Sequence, residues 1–110
     1  MKYVCLVYLE KDKLRTVPDT ECKQCGDGFR SGGVLHAAEA LQPIDAAKTV
    51  RVRHGRLAIT DGPFTETKEH LAGFYVIEAC DIDEATQMAA KIPPAREGSI
   101  EVRPVRALDA

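Results

Sequence analysis

The chain has 110 residues, enough for one domain with one core. Hydrophobic residues make up 45% and charged residues 29%, the balance of a folded domain rather than a disordered one. The formal charge is −2 with no basic run, and no apolar run reaches the ~20 residues that cross a bilayer, so neither nucleic-acid binding nor a membrane partner is expected.

Lys2 to Leu9 is rich in β-branched and aromatic residues and predicts a strand. Val4, Leu6 and Tyr8 lie on one face; Tyr3, Cys5, Val7 and Leu9 lie on the other. A strand apolar on both faces is covered on both sides. Charged Glu10-Lys11-Asp12-Lys13 follows where a signal peptide would carry small residues, so the stretch reads as a strand and the protein as cytoplasmic. Glu10 to Val17 is a polar loop. Pro18-Asp19-Thr20-Glu21 opens a helix, with proline and acids suited to a first turn. It runs to about Arg30 and ends at Gly32-Gly33, although Gly26 and Gly28 lower its intrinsic propensity.

Val34 to Leu41 predicts a strand closed by Gln42-Pro43. From Thr49 to His54, Val50 and Val52 alternate with Arg51 and Arg53. Leu57 and Ile59 repeat the alternation beyond His54-Gly55, a two-residue hairpin turn. Leu71 to Cys80 is a second two-faced strand, with Phe74 and Val76 against Tyr75, Ile77 and Ala79. Asp81 stands three residues before Glu84 and opens a second helix, whose apolar face is Ile82, Ala85, Met88, Ala89 and Ile92. Lys91 suits its C-terminal end and Pro93-Pro94 stops it. Ile100 to Val105 is the last strand.

This order predicts an α+β domain with two main helices on one face of an antiparallel sheet. Two helices cover one face only, yet two strands are apolar on both. A symmetric partner is the simplest cover, so a sheet-on-sheet homodimer is expected.

The candidate chemistry is thin. Asp61-Gly62-Pro63-Phe64 follows a strand, and proline there interrupts a ladder. Asp61 has two readings: a corner that caps a helical turn from Phe64 to Lys68 through the Phe64 N–H, or a general base at the mouth of a cleft. Glu66 and His70 would meet across that turn, with Glu69 in the same polar cluster. They are either a solvated surface or an acid–base pair. His36 is either a structural or exposed strand histidine or, since its neighbours are small, a residue lining a pocket. Arg51, Arg53 and Arg103 project from strands and suit an anion in a dimer cleft, or solvent, or pairing with Glu101. Cys22 and Cys25 form a lone C-x-x-C without the second pair a structural zinc needs. They are incidental thiols, a redox pair or a metal site, and Cys5 and Cys80 sit in apolar strand patterns. No cofactor or metal is called for.

Taken together, these stretches resemble the YCII-related family, specifically its DGPF-motif branch. The motif is Asp61-Gly62-Pro63-Phe64, continued by Glu66-Thr67-Lys68-Glu69 and Leu71-Ala72-Gly73-Phe74-Tyr75-Val76. Asp81-Ile82-Asp83-Glu84-Ala85, Gly98 to Val105, Met1-Lys2-Tyr3 and Thr49-Val50-Arg51 also match. The resemblance implies a ferredoxin-like dimeric α+β barrel over residues 1–110. The wider family is suspected of enzymatic function from a histidine in the first helix and an aspartate near the end of the second. Here those positions fall near Cys22 and at Ile92-Pro93, so the pair does not carry over. Some members of the branch are joined to sigma-factor domains. Two functions follow as expectations: a small-molecule enzyme or ligand binder with a cleft between helices and sheet, or a non-catalytic regulatory or interaction module linked to transcription initiation.

Overall fold

In the computed structural model, which describes residues 1–109, the elements run β1 (Lys2–Glu10), α1 (Asp19–Ser31), β2 (Leu35–Ala40), β3 (Lys48–Arg53), β4 (Arg56–Asp61), β5 (Glu69–Glu78), α2 (Ile82–Ala89) and β6 (Ser99–Pro104). Four strands form an antiparallel sheet in the order β2-β5-β1-β6, and β3 and β4 form a separate two-stranded ribbon. No helix among the described residues is long and apolar enough to cross a membrane.

The alternation of β1 sets the layers. Tyr3, Cys5, Val7 and Leu9 are buried beneath both helices. They meet Tyr75, Ile77 and Ala79 of the β5 segment, Phe29 of α1, and Ala85, Ala89 and Ile92 of the α2 segment. Cys5 and Ile77 are fully buried, and Phe29 meets Tyr75 edge-on with ring centroids 6.2 Å apart. Each large apolar side chain so buried contributes about 1.5–3 kcal/mol. On the opposite face Val4, Leu6, Tyr8, Phe74 and Val76 remain only half-buried.

Local chemistry places the helices. α1 follows Pro18 in extended conformation, carries Asp19 and Glu21 in its first turn, and is closed by Gly32 and by Gly33 at φ 72°. At α2 the Asp81 carboxylate accepts the Glu84 N–H at 2.8 Å, while the Glu84 carboxylate accepts the Cys80 N–H at 3.1 Å. The reciprocal cap forms as expected, with the return bond one residue earlier than in the usual box. The helix ends at Ala89, short of the expected Lys91. Lys91 and Ile92 donate to Met88 and Ala89, a tighter winding that carries Ile92, Pro93 and Pro94 into the interior.

Two bulges alter the strand pattern. In β2 the register passes from Leu35 to Ala37, leaving His36 unpaired with β5. In β5 it passes from Leu71 to Gly73 against Tyr8 and Val7. A bulge turns side chains that strict alternation would place elsewhere. Gly98 sits where β6 closes on β1: a Cβ there would lie 2.0 Å from the Tyr8 carbonyl oxygen.

The ribbon has the expected turn, with His54 at φ 52° and Gly55 at φ 73° between paired Arg53 and Arg56. It extends from the body of the molecule, and the radius of gyration, 15.6 Å, exceeds the ~13 Å of a compact chain of this length.

Two stability predictions follow from these contacts. Asp81→Ala lowers unfolding free energy by about 0.5–2 kcal/mol, and an unchanged urea midpoint would show that the cap contributes nothing. Gly98→Ala costs about 1–3 kcal/mol or more, since the clashing atom is backbone oxygen in the central strand; a wild-type midpoint would mean the β1–β6 closure is looser than its geometry.

Candidate functional site

Two concavities flank the sheet and adjoin at Leu41 and Gln42, which line both. The first, about 580 Å³, opens between α1 and the edge formed by β2 and β5. Val7, Leu9 and Tyr75 supply an apolar floor, and Cys22 and Gly26 of α1 form a wall. Gly26 is buried, and a Cβ there would lie 3.8 Å from the Tyr75 ring. That is an ordinary contact distance, so a methyl group would fit there while a larger side chain would reach the ring. Arg15, Asp19, Lys23, Asp27 and Arg30 stand around the rim. Arg30 pairs with Asp27 at 3.0 Å, whereas Arg15 and Lys23 form no ion pair among the described residues.

Tyr75 ties the cleft together by donating its hydroxyl to the Cys22 carbonyl at 3.1 Å. Burial, with Cys25, Cys22 and Cys5 nearby, raises the phenol well above its ordinary range, so it stays a donor. Burial likewise pushes Cys5 up to about 11 and raises Cys22 and Cys25, with Asp19 adding to the effect at Cys22. The C-x-x-C is thus unlike an activated redox pair. Cys22 lies in the helix interior rather than at its N-terminus, and its environment disfavours the thiolate.

The second concavity, about 1420 Å³, is an open trough between the ribbon and the half-buried sheet face. Glu69, His70, Arg51, Arg53 and Phe64 border it. Glu69 and His70 are successive residues of β5 and leave from opposite faces of the strand, so they form no acid–base pair. Glu69 instead accepts from the Ser99 hydroxyl at 2.7 Å. The expected helical turn from Phe64 to Lys68 does not form, and Glu66 and His70 are not stacked across one. Pro63 and the Thr67 hydroxyl, which donates to the Glu69 carbonyl at 2.5 Å, favour an open loop instead.

Asp61 lines neither concavity. Its carboxylate accepts from Lys48 at 2.5 Å across the base of the ribbon, rather than capping Phe64. Gly62, at φ 92°, donates to the Ala47 carbonyl at 2.8 Å and accepts from the Thr49 hydroxyl at 2.9 Å. The tetrapeptide is a corner, but one that closes a ribbon. His36 lines neither concavity and bonds Glu78 at 2.8 Å. The amino group of Met1 and, after it, His36 hold the Glu78 carboxyl below its ordinary range. Arg103 meets Glu101 at 3.7 Å, the pairing considered from sequence. Sequence reasoning missed Tyr75, Gly26, Arg15 and Lys23. The available signal was Gly26 itself, a helix-interior glycine whose propensity cost of about 1 kcal/mol calls for a packing reason.

No group of three or more His, Cys, Asp or Glu side chains is arranged to hold a metal among the described residues. The profile of the YCII-related domain matches residues 1–109. An uncharacterised protein of Rhizobium meliloti (strain 1021) is 44% identical over 79 residues, covering 70% of this chain. The match spans 64% of that relative's length.

Two measurements check this geometry. Alkylation of Cys22 and Cys25 by iodoacetamide is slow at pH 7 and rises only above the ordinary thiol value of 9.0, because burial raises both groups; rapid labelling at pH 7 would show an activated thiolate. Asp61→Asn and Asp61→Ala both leave the thermal midpoint unchanged, since the carboxylate is 88% exposed and its ion pair is solvated. A loss confined to Ala would restore the capping role.

Proposed function

The chain belongs to the YCII-related family, and on that premise we propose that it binds a small molecule in the cleft between α1 and the sheet. The observation that carries this reading is the form of the cleft: an apolar floor and polar rim around about 580 Å³, within the ~300–1,000 Å³ typical of ligand pockets. Two further features support it. Arg15 and Lys23, without an ion pair among the described residues, suit a ligand with a carboxylate or similar anionic group. Cys22, near the position where the wider family is suspected of carrying histidine, lies on the cleft wall. Binding is favoured over catalysis because the thiols there are held protonated and Asp27 is engaged by Arg30.

The finer family assignment is the DGPF branch, supported by the intact tetrapeptide Asp61-Gly62-Pro63-Phe64. The strand order β2-β5-β1-β6, with α1 and α2 sharing one face, supports a ferredoxin-like fold. The half-buried strip of Val4, Leu6, Tyr8, Phe74 and Val76 supports a homodimer joined through the other face.

NMR titration with a panel of small aliphatic and aromatic carboxylates tests the cleft. Shifts are expected at Val7, Leu9, Cys22 and Tyr75, which line the cleft, and Gly26→Leu, which fills the space before the Tyr75 ring, should abolish them. No shift in the wild type, or shifts that survive Gly26→Leu, would remove the reading. Sedimentation of the wild type should give about twice the 12.0 kDa chain mass, and a folded monomer would remove the dimer.

A further inference from the structure

The ribbon carries an apolar surface that no element among the described residues encloses. In the β3–β4 register Val50 stands opposite Ile59 and Val52 opposite Leu57. Cross-strand partners share a face, so these four side chains form one stripe. They are 56–64% exposed. A two-stranded ribbon without a third layer is at best marginally stable in water, so a covering surface would supply what the ribbon lacks. Contiguous exposed apolar surface of this kind marks a contact.

Charge identifies the partner. From Lys48 to Asp61 the ribbon has four cations, Lys48, Arg51, Arg53 and Arg56, against the single acid Asp61, a formal +3. The whole chain is −2, so the remainder carries −5. A cationic arm attached to an acidic body is complementary to the body of another copy, and such complementarity favours association. The half-buried sheet face has acids at both margins: Glu39 stands opposite Phe74, and Glu101 opposite Leu6. The trough between this face and β3 is open to an incoming chain.

We propose that the β3–β4 ribbon is an intermolecular arm that lays Val50, Val52, Leu57 and Ile59 against a second copy of this chain. This rests on the homodimer reading and adds that the arm is part of the contact. Asp61, Gly62 and Thr49 are then the clasp at the arm's base. Lys48 pairs with Asp61, the Gly62 N–H donates to the Ala47 carbonyl, and the Thr49 hydroxyl donates to the Gly62 carbonyl, which together set its exit direction.

Sedimentation velocity across a concentration series tests the arm, using wild type, Val52→Glu/Leu57→Glu and Arg51→Glu/Arg53→Glu. The substituted positions are exposed, so the main sheet should persist, and far-UV circular dichroism checks that it does. The apolar double variant should raise the dimer dissociation constant by about tenfold or more, as loss of buried apolar contact with added charge requires. The charge variant should weaken the dimer and reduce its salt sensitivity. Amide exchange at residues 49–60 should slow as the wild type dimerises. A monomeric wild type would overturn both the dimer and the arm. A wild-type dimer that both variants match, with ribbon exchange independent of concentration, would overturn the arm alone. Variants that dimerise normally but lose affinity for a fluorescent single-stranded oligonucleotide would make the ribbon a nucleic-acid contact and also overturn it.

Discussion

Strand β1 is paired along both edges, to β5 and to β6, and its alternate side chains enter two different environments. Its odd-numbered residues from Tyr3 to Leu9 form the floor on which both helices pack. Its even-numbered residues face the trough side. Because side chains alternate with a period of two, a one-residue slip would exchange these surfaces entirely. The register is also held sterically. Gly98 admits the Tyr8 carbonyl, and Gly73 admits the Glu39 carbonyl, where a Cβ would lie 2.8 Å away. These close approaches bring the edge strands against the centre and leave no room for a larger residue at either point.

The helix side and the ribbon side use different physics. On the helix side, burial dominates: aromatic contact, small α2 side chains and the Tyr75–Cys22 hydrogen bond fix the spacing between layers. That spacing leaves a cleft because Gly26 brings no side chain to fill it. On the ribbon side, backbone geometry dominates. Gly62 occupies a left-handed conformation that L side chains rarely adopt, Pro63 withholds a ladder donor, and Lys48 and Asp61 face each other across the last pair. Asp61 and Gly62 thus tie the base of the ribbon together, and Pro63 ends the pairing there. Phe64, 74% exposed, lies beside the trough rather than in a core.

The two concavities meet at Leu41 and Gln42, just beyond β2, which line both. Strand β5 borders both, with Glu69, His70 and Leu71 at the trough and Gly73, Phe74 and Tyr75 at the cleft.

Much of this arrangement was present in the order of residues. The two-faced patterns of β1 and β5, the His54-Gly55 turn and the Asp81–Glu84 cap are local signals, and each acts within a few residues of where it is written. They determined the α+β class, the strand positions and an apolar sheet face beyond the helices. The sites were decided elsewhere. His36 was redirected by a bulge that exists only because β2 pairs with β5, and Asp61 found Lys48 only when β3 and β4 came into register. Gly26 became a cleft wall only when α1 packed against Tyr75 from a distant strand. Periodicity is a property of one segment, whereas a binding surface is made by segments brought together. The sequence by itself therefore determined which faces are apolar; tertiary packing decided which polar groups meet and where space remains between them.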